Sequence, residues 1–392
     1  MTTRPAPHVD PGSRPVAPAR LDRRLAATAL VASTATAALL AFFVARPDLD
    51  PFREAANALG HTLAPGLPLA WLLLAVALLG VATAAVVLAT GRQSSPVVPP
   101  VAVVQVVAFG VLAQGTGTLS GAGYLVSLAV PLLAVWAGAQ VFRNRPAWRL
   151  PVAAAGVLAV VGIVAARDDL ALWLGGVASG FARERWSLLA VLLPLATAAA
   201  WAGLAAVRAW RRGTMRRATA WVTRHRRLFT VVAALGPLPY ALARLTWLTP
   251  WPQLSIDGEL PLATRFQGMA LGSAAWLGVV LTLGLILPWG EQLPRWFGRR
   301  AGRPVPPAAA IVPGGIVAVM LCGAAVPMLL LMGWVGAVYF PAWFWGPALA
   351  LAVWGYAGHR YGVDDGTGVG PRSDGADVSA AGPARPAPAA RR

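Results

Sequence analysis

The sequence predicts an all-α fold, a polytopic transmembrane helix bundle of about ten spans with both termini cytoplasmic. Composition points there first. The chain of 392 residues is 57% hydrophobic and 12% charged, whereas a soluble domain carries about 25% charged residues. Run length is the second observation. The apolar residues gather into stretches of about 20, which is what a helix needs to cross a hydrocarbon core of ~30 Å. They do not alternate over ~10 residues as barrel strands do. The third observation is how the charges sort along the chain, described below.

Residues 1–24 form an N-tail rich in Pro, Ala and Arg, with no apolar periodicity before Leu25; such composition favours disorder. Arg23-Arg24 would suit a twin-arginine signal, but their surroundings fit poorly, and an uncleaved first span suits a chain with many spans after it. The membrane domain is 25–361. Its predicted spans are Leu25–Ala45, Leu67–Thr90, Val97–Leu119, Tyr124–Phe142, Leu150–Ala166, Trp186–Val207, Leu228–Leu248, Phe266–Trp289, Ala308–Met332 and Phe340–Arg360. A tight turn is expected at Ser120–Gly123. In 52–63, Phe52, Ala55, Ala56, Leu59 and Leu63 recur at helical spacing, the pattern of a short interfacial helix. Arg167–Arg185 reads as a second interfacial segment, and 150–166 is short for a span. Residues 362–392 are a second tail of disordered composition, cytoplasmic with the first.

All 33 basic residues are arginine, which suggests a GC-rich bacterial genome. With the N-terminus inside, six arginines fall in outer loops (Arg46, Arg53, Arg167, Arg183, Arg185, Arg265), Arg244 lies in a span, and the remaining 26 are inside. The outer loops also carry Asp48, Asp50, Glu54, Asp168, Asp169, Glu184, Asp257 and Glu259. Such asymmetry is the positive-inside rule, and it places the chain in a bacterial plasma (inner) membrane. It accounts for most of the +18 charge without a nucleic-acid partner.

Arg244 is the one charge this reading places inside a span, near its outer end. A charge in the bilayer core costs ~2.5–3.5 kcal/mol by insertion scales and needs a partner or water. Candidate partners are a carbonyl, the loop acids Asp257 and Glu259, a lipid phosphate or an anionic ligand; otherwise the side chain snorkels outward beside Trp247 and Trp251. Gly236-Pro237-Leu238-Pro239 breaks the same span, because two prolines remove two donors and free the carbonyls of Ala233 and Leu235. Broken helices mark many transporter sites, and equally act as plain kinks. Pro237, Pro239, Tyr240, Arg244, Trp247 and Trp251 therefore form the candidate ligand or anion group. Gly268 and Gly272 give the next span a small-residue face, expected to serve packing within the chain.

The segment 208–227 carries Arg208, Arg211, Arg212, Arg216, Arg217, Arg224, Arg226 and Arg227. It reads as a topology anchor on anionic lipid, with Trp210, Thr214, Ala218, Trp221 and Val222 on the apolar face of a surface helix. Asp48, Asp50, Glu54 and His61 match no metal-ligand spacing and read as solvated loop charges, with an acid–base site as the sharper alternative. His359, with Tyr356 and Tyr361, reads as an interface residue. Cys322 is the lone cysteine, so no disulfide forms within the chain. No phosphate loop, nucleophile elbow or zinc-protease motif is present, and no cofactor is implied.

Leu287-Pro-Trp-Gly-Glu-Gln-Leu-Pro-Arg-Trp296, the following Arg299–Pro307 stretch, and Tyr240–Trp247 together resemble uncharacterised multi-pass integral membrane proteins of actinomycete-type bacteria. The resemblance covers 228–317 and implies a polytopic fold, no known activity, and a structured inner loop around Trp289, Glu291, Pro294, Arg295 and Trp296. Three function classes stay open: a permease-like protein for a small anionic or amphipathic ligand, with its site near Arg244 and the Pro237/Pro239 break; a scaffold or regulator acting through arginine-rich loops; and an interfacial lipid-modifying enzyme.

Overall fold

The computed structural model describes residues 17–54, 58–91, 95–115, 117–252 and 261–362. The described residues are all-helical apart from one isolated bridge between Gln292 and Pro304. The helices are α1 (Ala17–Ala45), α2 (Leu59–Leu63), α3 (Leu69–Thr90), α4 (Val98–Val107), α5 (Gly117–Asn144), α6 (Arg149–Ala165), α7 (Arg167–Arg183), α8 (Arg185–Arg211), α9 (Arg216–Arg224), α10 (Arg226–Leu235), α11 (Leu238–Leu245), α12 (Leu262–Leu283), α13 (Ala308–Leu331), α14 (Gly333–Tyr339) and α15 (Ala342–Arg360). Among the described residues, eight helical stretches are long and apolar enough to cross a membrane. A shorter apolar helix runs over Val98–Leu112, where α4 ends in a π-helical turn.

Two packed groups organise the chain. In the first, α1, α3, α4 and α8 enclose Leu40, Phe43, Leu73, Phe109 and Ala198 at one end and Ala29, Val87, Val98, Trp201 and Leu204 at the other. In the second, α10, α13 and α15 enclose Ala233, Leu321, Ala324, Trp345, Leu349 and Tyr356. The crossovers need small residues: a Cβ at Gly358 of α15 would lie 2.1 Å from Thr223 Oγ1, so α9 seats here only against glycine. By contrast, α6 buries none of its residues, as expected of a helix whose solvent is lipid.

One side of the molecule gathers the arginine-rich segments. Arg211 pairs with Asp22 at the start of α1. Trp354 Nε1 donates to Thr219 Oγ1, tying α15 to α9. The 287–307 segment is ordered through Leu293 N–Arg303 O and Val305 N–Glu291 O bonds. It docks on α15, where Tyr356 donates to Gly290 O and Arg360 donates to Tyr356 Oη and Val305 O. Glu291 faces Arg226 at 3.7 Å and His359 at 3.2 Å. The structured loop expected around Trp289 and Glu291 is thus present.

Several local expectations need correction. The break after α4 falls at 113–115, ahead of the expected Ser120–Gly123 turn, because Gln114 and Gly115 leave the helix first and α5 begins at Gly117. The helix expected to reach Trp289 ends at Leu283. Gly284 and Gly290 then pack backbone against backbone, with the Trp289 ring over Gly284, in a fold-back that Pro288 helps to terminate. The segment 208–227 is no single surface helix. Gly213 at φ +76 ends it, and α9 buries Thr219, Val222 and Thr223 while Trp221 points outward. Nor does the 52–63 pattern give one helix: a 3-10 turn at Pro51–Arg53 precedes α2, with 55–57 outside the described residues.

Candidate functional site: a mixed pocket opposite the arginine-rich side

α1 ends at Ala45, and Pro47 and Pro51 open two 3-10 turns that fold the chain back over α3. Asp50 holds this turn by accepting from Phe52 N at 3.0 Å, which drives Phe52 into the core edge-on to Phe43. α2 is pinned by Leu59 N donating to Gln114 O at 2.8 Å, two residues beyond the π turn of α4. That turn is closed by an Ala113 N–Ala108 O bond; π turns of this kind often occur at functional sites.

Between these pieces lies a cavity of about 450 Å³. Asp50, Arg53 and His61 supply its polar wall, and Phe43, Phe52, Leu67, Leu69 and Trp71 much of its apolar one. This size and mixed lining match sites for small molecules. Burial raises the Asp50 carboxyl above its ordinary range, against the lowering effect of the Phe52 N–H, Arg53 and His61. Asp48, in the same turn, is lowered by the hydrogen bond from Arg46, which is raised in return. Two acids two residues apart are thus pushed in opposite directions, Asp50 toward its neutral form and Asp48 toward its charged form.

Beneath the pocket runs a buried polar seam. Trp201 Nε1 donates to Ser33 Oγ at 3.0 Å, Thr36 and Thr197 share a 2.8 Å bond, and Gln105 donates to Val76 O. Thr36 lies seven residues before Phe43, about 10 Å below it by helical rise. Sequence reasoning missed this seam because neutral polar side chains barely disturb hydropathy. Its signal was nonetheless present: Asp22, Ser33, Thr36 and Phe43 fall on one face of α1.

The Arg244 group is a separate, closely packed structure. The guanidinium lies 3.8 Å from the Trp247 ring centroid and 4.8 Å from that of Tyr240. Its Nε and Nη1 are buried without hydrogen bonds. Trp247 fits over Gly268, where a Cβ would sit 2.2 Å from the ring, and the Arg244 stem fits over Gly272. The glycine pair therefore serves packing within the chain. Pro237 caps α11 and Pro239 lies in its first turn. The Ala233 carbonyl is not left free, because Gly236 N donates to it at 3.2 Å. Trp251 stays 76% exposed, and Arg265 donates to Trp247 O. None of these residues lines the pocket. Asp257 and Glu259 lie outside the described residues.

Two charged residues are buried in the described helices. Asp22 is 4% and Arg208 6% exposed, so Arg208 is buried where a surface position was expected. Arg212, Arg216 and Arg217 are exposed. Glu54 is exposed beside the pocket, and among the described residues no cluster of His, Cys, Asp and Glu could hold a metal ion. Comparison with protein-family models, curated proteins and solved structures finds no match.

Proposed function

We propose that this chain is a permease-like protein of a bacterial inner membrane that takes an amphipathic ligand from the outer leaflet into the Asp50–Arg53–His61 pocket. The pocket carries the reading. It combines one carboxyl, one guanidinium and one imidazole with an aromatic and aliphatic wall, which suits a polar headgroup joined to an acyl chain. Trp71 and Leu67, both largely exposed, form a rim at the depth where a lipid headgroup would lie. The polar seam between α1 and α8 offers hydrogen-bonding groups further in, as passage of a headgroup requires. The topology that goes with this is ten spans, with both ends on the arginine-rich cytoplasmic side. Anionic lipids then face Arg212, Arg216 and Arg217. Arg244 acts in this reading as the cation that fixes α11 on α12.

The raised Asp50 carboxyl, in a pocket that His61 also lines, favours a second reading, an interfacial enzyme using the two as acid and base. The scaffold reading draws less support, because Arg211, Arg226 and Arg360 are engaged within the chain.

Reconstituted protein with phospholipids brominated in the acyl chain tests the proposal through tryptophan quenching. Saturable quenching should weaken at least about tenfold in Arg53→Gln or His61→Ala, the scale of losing one charge-assisted hydrogen bond. Transfer of a fluorescent-headgroup lipid between leaflets would then mark a permease, and headgroup release an enzyme. Equal quenching in wild type and variants would remove the pocket from the account.

A further inference from the structure

We infer that the ends of α1, α4 and α8 on the arginine-rich side form a binding site for one phosphate-type anionic group, centred on Arg208. Arg208 sits one turn beyond Leu204, which belongs to one buried cluster with Val98 at the start of α4 and Ala26 of α1. Its guanidinium is more than nine-tenths buried, and Nε, Nη1 and Nη2 all lack hydrogen-bond partners. Asp22, Arg211 and Arg212 lie within electrostatic range of it. Asp22 is already engaged: one carboxylate oxygen bonds Arg211, and the other is buried without a hydrogen bond. Arg208 is therefore a buried cation beside one buried carboxylate that already serves Arg211, while Arg211 and Arg212 reach the surface.

A buried guanidinium left with its donors unused is costly, since desolvation is repaid only by matched charge and hydrogen bonds. The planar fork of arginine suits the paired oxygens of a phosphate. A carboxylate from elsewhere in the chain would serve equally, but among the described residues Asp22 is the acid within electrostatic range, and it is shared with Arg211. The guanidinium nitrogens are enclosed, so the anion enters as the three helix ends part slightly. Two sources carry this chemistry, the headgroup of an anionic phospholipid and free phosphate.

The test uses the full chain, purified and delipidated in a neutral detergent, with thermal unfolding read by tryptophan fluorescence. Phosphatidylglycerol, phosphatidylcholine and inorganic phosphate are titrated at constant ionic strength. Wild type is expected to gain stability from phosphatidylglycerol if the source is lipid, or from inorganic phosphate if the source is free anion, and not from phosphatidylcholine. Arg208→Met should raise the concentration required at least about tenfold, while Arg167→Met, at an exposed position outside the arginine-rich segments, should leave it unchanged. Equal responses in wild type and Arg208→Met, or no response of wild type to either anion, overturn the site. Should Arg208→Met fail to fold, native mass spectrometry of wild type decides. Retained phosphatidylglycerol or phosphate supports the site, and protein that retains neither refutes it. Either result leaves the opposite pocket untouched, because no residue is shared.

Discussion

At the scale of single residues, Asp50 and Asp48 give the sharpest expectation. Burial raises Asp50, so its charged form disfavours the folded state near neutrality, and that cost is relieved as pH falls through the raised folded value. Asp48 is lowered by its bond from Arg46; its contribution is present above the ordinary carboxylate range and is lost as pH falls through its folded value. Asp50→Asn should therefore flatten the loss of stability between mildly acidic and neutral pH, while Asp48→Asn should not. Melting temperature followed against pH for both variants checks this, and parallel curves for wild type and Asp50→Asn would contradict it. These residues were half legible. The sequence marked Asp48–His61 as a group of charges without a metal spacing. It could not show that two proline-started turns lay Asp50 and His61 against the start of α3, because that contact is tertiary. Counting arginines by loop also hid Arg208, since such counting treats each one as solvated.

At the scale of helices, the spans were readable because a bilayer imposes a length of about 20 apolar residues, and hydropathy reports length well. Their ends were less readable. Gln114, Gly284 and Gly290 set those ends through turn and backbone contacts that hydropathy averages away. The α11–α12 contact makes a testable element. Gly268→Leu would drive a side chain into the Trp247 ring and should cost about 1–3 kcal/mol, as overpacking does; Ser273→Ala on the same helix should cost little. Equal melting temperatures for the two variants would show that α11 does not seat on this face. The Thr36–Thr197 bond is open to a double-mutant cycle with valine. Coupling of about 0.6 kcal/mol is expected, with ~1.7 as an upper figure for such bonds in membranes. Additive variants would mean that the seam does not join α1 to α8.

At the scale of the whole molecule, sidedness decides the account. The arginine-rich segments meet at one end, through Asp22–Arg211, Thr219–Trp354 and Gly290–Tyr356, and the pocket lies at the other end of α1 and α3. Charge sorting along the sequence already implied two unlike faces. What it could not supply was a cavity, because a cavity arises where packing stops, and packing is fixed jointly by helices far apart in the chain. The central claim is that this cavity faces outward and receives an amphipathic molecule. The most direct measurement is single-cysteine labelling in a Cys322→Ala background, with Leu67→Cys at the rim and Arg300→Cys on the arginine-rich side, using an impermeant thiol reagent on intact cells. The account predicts that residue 67 labels from outside, is protected by a short-chain lysophospholipid, and that residue 300 labels only after permeabilisation. Labelling of residue 300 from outside, or of residue 67 only after permeabilisation, would contradict it.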